Sequence, residues 1–234
     1  MHRFRDFLWP VALSMGVVGF LVMMQPDLGT TLLIAAGGFA VLAASAAPLG
    51  FVLGGGALGA AGALAASMLS PYRWDRITSF LDTAADPLGS GYQATQSLVA
   101  LGTGGLFGVG LGASRARWSF LPNAHTDFIF SIVGEETGLA GSLSVLLLFV
   151  VLTVAGTMAA LRCRDRFGRL VAVGVTTWLM AQALVNIGGV TGLLPITGVP
   201  LPFVSFGGSA LLTELMAVGM LVGIVRQSAA SESG

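Results

Sequence analysis

The residue types best suited to chemistry gather in one short stretch, Leu121–Glu136, which reads LPNAHTDFIFSIVGEE. His125 and Asp127 stand against the apolar run Phe128-Ile129-Phe130, and Glu135 and Glu136 follow. A carboxylate beside a membrane-grade segment is costly unless it meets water or a partner, so it is read as functional by default. The competing reading is a helix cap, with the Asp127 side chain accepting backbone N–H bonds. If a helix ran from Asp127, Glu135 would lie two turns below and about 80° round, with Glu136 on the opposite face. These acids are therefore not a tight pair. His125 and Asp127 alone fall short of a closed coordination shell, so no metal site is assigned to them.

The elements that would position these groups belong to a membrane. Of 234 residues, 9% are charged and 55% hydrophobic, where a soluble domain carries about 25% charged residues. The mean hydropathy is +0.87. Lysine is absent, so all eleven basic residues are arginines, balanced by eleven acids. A net charge of zero gives no indication of a nucleic-acid partner. The single cysteine, Cys163, has no intrachain disulfide partner and leaves the redox compartment undetermined.

Apolar runs of bilayer length predict six spans, about 7–24, 28–46, 48–69, 139–161, 170–190 and 210–225, in one membrane domain covering 1–234. MHRFRD at the start superficially resembles a signal peptide, but no small-residue cleavage site follows, and the run is read as a spanning helix. Asp27 is expected to cap the second helix, with cavity lining as the alternative. Gly54, Gly55, Gly56, Gly59 and Gly62 in the third are expected to lie on closely packed faces.

Between the third and fourth spans, 70–138 forms a long loop region. It carries Arg73, Asp75, Arg76, Asp82, Asp86, Arg115 and Arg117, and a loop of this length is usually functional. Its apolar part, Gln93–Leu111, is expected to be interfacial or re-entrant, packed on protein or water. GVGLGA at 108–113 fits a dinucleotide fingerprint formally, but no βαβ unit surrounds it. Near the end, a proline-glycine hairpin leads through Gly207-Gly208-Ser209, expected to pack tightly, into a last helix whose Glu214 needs a partner or water.

Six spans put both termini on one side. Seven of the eleven arginines fall there, and the positive-inside rule makes that side the cytoplasm. The long loop, Asp127 and the hairpin would then share the extracytoplasmic face. Such a site admits a transporter, an enzyme acting on a lipid-linked substrate, or a scaffold.

HTDFIF followed by GEE, with DPLGSGYQATQSL, the QPDLGT turn and PITGVPLPFVSFGGS, closely resembles the SEDS family (shape, elongation, division and sporulation) of bacterial cell-wall glycosyltransferases. The resemblance runs from about Phe7 to Arg226. GYQATQSL, GLGAS and PNAHTDF are more similar to the division branch (FtsW-like) than to the elongation branch (RodA-like).

The resemblance implies an all-α polytopic integral membrane protein, its six transmembrane helices matching the last six of a ten-helix fold. It implies peptidoglycan polymerisation from lipid II, with release of undecaprenyl pyrophosphate in the bacterial inner membrane. Asp127 then occupies the family's essential aspartate position and is the expected general base. Arg73, Arg76, Arg115 and Arg117 are candidate pyrophosphate ligands, since arginine forks match phosphate oxygens. His125 is a further candidate substrate contact, with a structural role as its alternative. A divalent cation could neutralise the pyrophosphate, and the sequence neither demands nor excludes one or any other cofactor. The implied partners are a class B penicillin-binding protein and other division proteins. Phe206 departs from the family pattern, which more often has tyrosine, serine or alanine there. A lipid II flippase, an elongation polymerase and a non-catalytic scaffold are the alternatives.

Overall fold

The computed structural model describes residues 2–25, 27–45, 47–68, 74, 78, 80, 90–116 and 125–230. Among them it is helical throughout, without strands: α1 (His2–Met24), α2 (Leu28–Ala44), α3 (Leu49–Met68), α4 (Ser90–Gly104), α5 (Ile129–Arg162), α6 (Arg166–Val190) and α7 (Gly208–Ala230). Among the described residues three stretches are long and apolar enough to cross a membrane, Ile129–Arg162, Arg166–Val190 and Gly208–Ser228. Leu13–Met24, Gly29–Ala44 and Gly50–Ala63 are shorter apolar stretches. In the three long ones, no more than 28% of the most apolar window is buried. Leu147, Leu148 and Val151 of α5 and Leu212, Leu215 and Met216 of α7 point outward. In water so much exposed apolar surface would drive association; in lipid it is the expected outer surface. The protein is an all-α integral membrane protein.

Helix ends follow local chemistry. Asp27 caps α2: its Oδ1 accepts the Thr30 N–H at 2.9 Å and its Oδ2 the Thr30 hydroxyl at 2.6 Å, the capping alternative of the two expected for it. Asp165 does the same for α6, accepting the Gly168 N–H at 2.7 Å. At the far end of α6, Gly192 adopts φ +73°. The Leu193 N–H reaches the Gly188 carbonyl at 2.8 Å and the Gly192 N–H that of Gly189 at 3.3 Å, a Schellman ending.

The chain divides into two compact units. The first comprises 1–67, 155–181 and 217–234. In it α1 packs on α2, and Ala160, Ala172 and Leu221 form a small core. The Arg166 guanidinium donates to the Ser45 carbonyl at the end of α2 at 3.0 Å. The glycines of α3 do not form the close-packed face expected of them. Among the described residues, only Gly56 of these has a neighbour, the Phe39 ring at 3.0 Å from where a Cβ would stand; Gly54, Gly55, Gly59 and Gly62 meet no described atom within 4 Å.

The second unit, 68–154 and 182–216, holds the larger core of Phe128, Phe130, Ile132, Phe149, Val190 and Leu201. The turn after α4 packs backbone to backbone on α5. A Cβ on Gly104 would stand 2.0 Å from the Gly134 carbonyl oxygen, and one on Gly108 would stand 2.1 Å from that of Glu136. Gly138 breaks the helical path of α5 at φ 69°, ψ −162°. The Leu139 and Ala140 N–H groups freed there donate instead to the Gly105 and Leu106 carbonyls, at 2.9 and 3.2 Å. The segment Gln93–Leu111 is thus a helix and a turn laid against α5, which satisfies backbone groups that lipid cannot.

Candidate functional site

Asp127 lies in the turn immediately before α5, not within the helix, so the angular arithmetic for a helix starting at Asp127 does not apply. It lines a cavity of about 310 Å³ with Thr126, Pro200, Leu201, Ser205, Phe206 and Glu214 among its neighbours. That volume is at the lower end of the range for small-molecule sites, about 300–1,000 Å³.

Three successive main-chain carbonyls of the turn are held by groups distant in sequence. The Phe206 N–H donates to the His125 carbonyl at 3.0 Å, the Ser205 hydroxyl to that of Thr126 at 2.6 Å, and the Asn186 amide to that of Asp127 at 2.8 Å. Two of these donors belong to the hairpin between α6 and α7, and the third to α6.

The hairpin is itself braced. Asn186 also donates to the Val199 carbonyl at 2.7 Å, and Gln182 to the Pro200 carbonyl at 3.0 Å. Glu214, 3% exposed, accepts the Phe203 N–H at 2.8 Å and the Gln182 amide at 3.3 Å. Phe203 has φ +62°, a left-handed conformation that non-glycine residues adopt at a cost, and the Glu214 bond fixes its N–H there. The glycines that follow do not pack closely as expected. Among the described residues, a Cβ on Gly208 would meet nothing within 4 Å, and one on Gly207 only the Ala210 Cβ at 3.5 Å.

Of the other acids of the opening motif, Glu135 serves the fold. Glu135 is buried and accepts the Ser114 hydroxyl together with the Arg115 and Ala116 N–H groups, both at 3.2 Å. It therefore fixes the end of the glycine-rich segment against α5. Arg115 has an exposed side chain, and no arginine is among the described residues lining the cavity. Arg73, Arg76 and Arg117 lie outside the described residues. His125 is exposed; its carbonyl, not its ring, makes the contact with the hairpin. Among the described residues no three His, Cys, Asp or Glu side chains converge, and both Glu214 oxygens already accept hydrogen bonds.

Sequence reasoning missed Asn186, Gln182 and Ser205. The first two carried a readable signal: amides one helical turn apart, on one face of an apolar helix, need inward partners. Ser205 had no such signal, because its bond spans 79 residues of chain.

The family described as cell cycle protein, FtsW/RodA/SpoVE, matches residues 1–230. Stage V sporulation protein E of Bacillus subtilis is 45% identical over 218 residues, covering 92% of this chain and 60% of that one. A probable peptidoglycan glycosyltransferase FtsW of Synechocystis is 42% identical over 211 residues, covering 90% of this chain and 54% of that one. Among solved structures, one described as showing structural coordination of polymerization and crosslinking by a peptidoglycan synthase complex aligns with a TM-score of 0.72. It is 32% identical, covering 93% of this chain and 61% of the other. The chain thus spans 54–61% of the length of these relatives.

Proposed function

Because the chain belongs to the FtsW/RodA/SpoVE family of cell-cycle proteins, we propose that it serves in polymerising peptidoglycan glycan strands from lipid II, in the manner of the division branch. The observation that carries this reading is Asp127 on the wall of a sugar-scale cavity, its main chain held at three consecutive carbonyls. In the proposed reaction the acceptor's 4-hydroxyl oxygen bonds to the anomeric carbon of the donor sugar. The bond from that carbon to the pyrophosphate oxygen breaks, undecaprenyl pyrophosphate leaves with the electron pair, and the hydroxyl proton passes to the Asp127 carboxylate. A neutral hydroxyl is a poor nucleophile, so a base within hydrogen-bond reach is what the step requires. Neutralising the negative charge of the leaving pyrophosphate is assigned to one or more of Arg73, Arg76, Arg115 and Arg117. No cation-held step is assigned to these residues. His125 is given a backbone role at the turn.

The catalytic face is proposed to be extracytoplasmic, with both ends of this chain in the cytoplasm. A class B penicillin-binding protein is the proposed partner, by analogy with the synthase complex that joins polymerization to crosslinking.

The test is glycan polymerisation from labelled lipid II by the whole protein, alone and with a class B penicillin-binding protein, comparing wild type with Asp127→Asn. Polymer from the wild type only, with lipid II still bound by the variant, is the expected result. Equal polymer from both would remove Asp127 from the chemistry. Lipid II crossing vesicle membranes without polymer formation would favour a flippase.

A further inference from the structure

Resting on the polymerase reading, we infer that Ser205 is a positioning residue for Asp127: its hydroxyl ties the hairpin to the turn that carries the base. A serine hydroxyl has one proton to donate and lone pairs to accept with, and here both capacities are used. The Oγ accepts the Leu201 N–H at 2.7 Å and donates to the Thr126 carbonyl at 2.6 Å. The Ser205 N–H returns to the Leu201 carbonyl at 3.0 Å, closing a compact loop within the hairpin. Thr126 immediately precedes Asp127, so the peptide plane that the hydroxyl grips is the one from which Asp127 departs. The flanking bonds from Phe206 and Asn186 hold the planes on either side.

Of the two direct hairpin-to-turn bonds described above, this one is made by a side chain. Phe206 supplies a backbone N–H that any residue except proline would supply. The Ser205 hydroxyl is therefore a point where a side-chain change alone removes a direct bond between hairpin and turn. A base displaced by about 1 Å can lose about 100-fold in rate while substrate binding elsewhere is kept. Ser205 also borders the cavity, so direct contact with substrate is the rival explanation, and it would weaken binding instead.

The experiment compares wild type, Ser205→Ala and Ser205→Thr in the polymerisation assay, with kcat and KM for lipid II measured separately. Amide hydrogen exchange is followed over 125–130 and 198–207 in the same samples. Positioning predicts that Ser205→Ala lowers kcat about 10- to 100-fold with KM unchanged and speeds exchange at Leu201 and across the turn. Ser205→Thr, which keeps donor and acceptor, restores both readouts. Wild-type kcat in Ser205→Ala, or a defect confined to KM, would overturn the inference. So would unchanged exchange, which decides the tether without any activity. Failure of the wild type itself to form polymer would count against the polymerase reading, leaving the tether to be judged by exchange.

Discussion

Two carboxylates border one cavity, and their surroundings give them different work. Glu214 is buried and engaged at both oxygens, one by the Phe203 N–H and one by the Gln182 amide. Asp127 stands on a turn whose main chain is held from outside. Glu214 is thus a brace for the hairpin. Replacing it by alanine leaves the buried Gln182 amide and the half-buried Phe203 N–H each short of a partner, at about 1–3 kcal/mol for a fully buried unsatisfied group. Glu214→Ala is expected to lower the unfolding temperature in detergent, and Glu214→Gln, which keeps an acceptor for Phe203, to lower it less. Full stability in Glu214→Ala together with lost polymerisation would instead make Glu214 part of the chemistry. Phe206 illustrates the reverse case. Its ring is 83% exposed while its N–H makes the contact with His125, so the departure from the family's usual residue does not touch the clamp. Phe206→Tyr is expected to polymerise at the wild-type rate; a marked gain would mean that a hydroxyl at the cavity rim meets the substrate.

Among the elements, α5 shows most clearly what a sequence does and does not disclose. Its hydropathy marks the apolar stretch, and the HTD motif marks the place where Asp127 enters. The ending of α6 was likewise readable in kind, since the glycine at 192 is followed by the proline-rich hairpin. The boundary expected between 138 and 139 coincides with the break at Gly138, but the helix that precedes it from Ile129 was not legible, because that stretch reads as part of the loop. At Gly138, φ 69° and ψ −162° place the residue in a region open essentially to glycine alone, and the freed N–H groups find carbonyls more than thirty residues back. The carbonyl clamp was hidden because its donors come from two other elements, and main-chain acceptors leave no mark on residue identity. The α3 glycines erred the other way, since small residues permit close packing without compelling it. Gly138→Ala and Gly108→Ala are each expected to destabilise the unit by at least about 1–3 kcal/mol from backbone strain, before the added overlap with neighbouring backbone. Gly59→Ala, which meets no described atom within 4 Å, is expected to be neutral or to stabilise by up to about 1 kcal/mol through helix propensity. Thermal unfolding of the three variants side by side checks this. Equal behaviour of all three would mean that the α4 turn does not pack on α5 as described.

At the scale of the whole molecule, the arginines and the apolar helix surfaces must agree on one orientation. The α5–α6 connection is short and strongly basic, with Arg162, Arg164, Arg166 and Arg169 around Asp165. Moving such a cluster across a bilayer is unfavourable, with centre-of-membrane insertion costs of about 2.5–3.5 kcal/mol per charge on the translocon scale. The turn after α4 is its opposite, apolar and exposed, with Phe107 at 86%, and it belongs to the same unit as Asp127. The proposed orientation puts the turn outside and the connection inside. Cys163 is the only cysteine, and Cys163→Ser gives a background in which position can be read one thiol at a time. In intact cells a membrane-impermeant maleimide is expected to label Phe107→Cys, whereas Arg164→Cys reacts only after lysis. Labelling of Arg164→Cys in intact cells, with Phe107→Cys protected until lysis, would put the Asp127 cavity on the cytoplasmic side. Lipid-linked disaccharide would then have to be used before it crossed the membrane, and the extracytoplasmic polymerase reading would fail however well Asp127 is held.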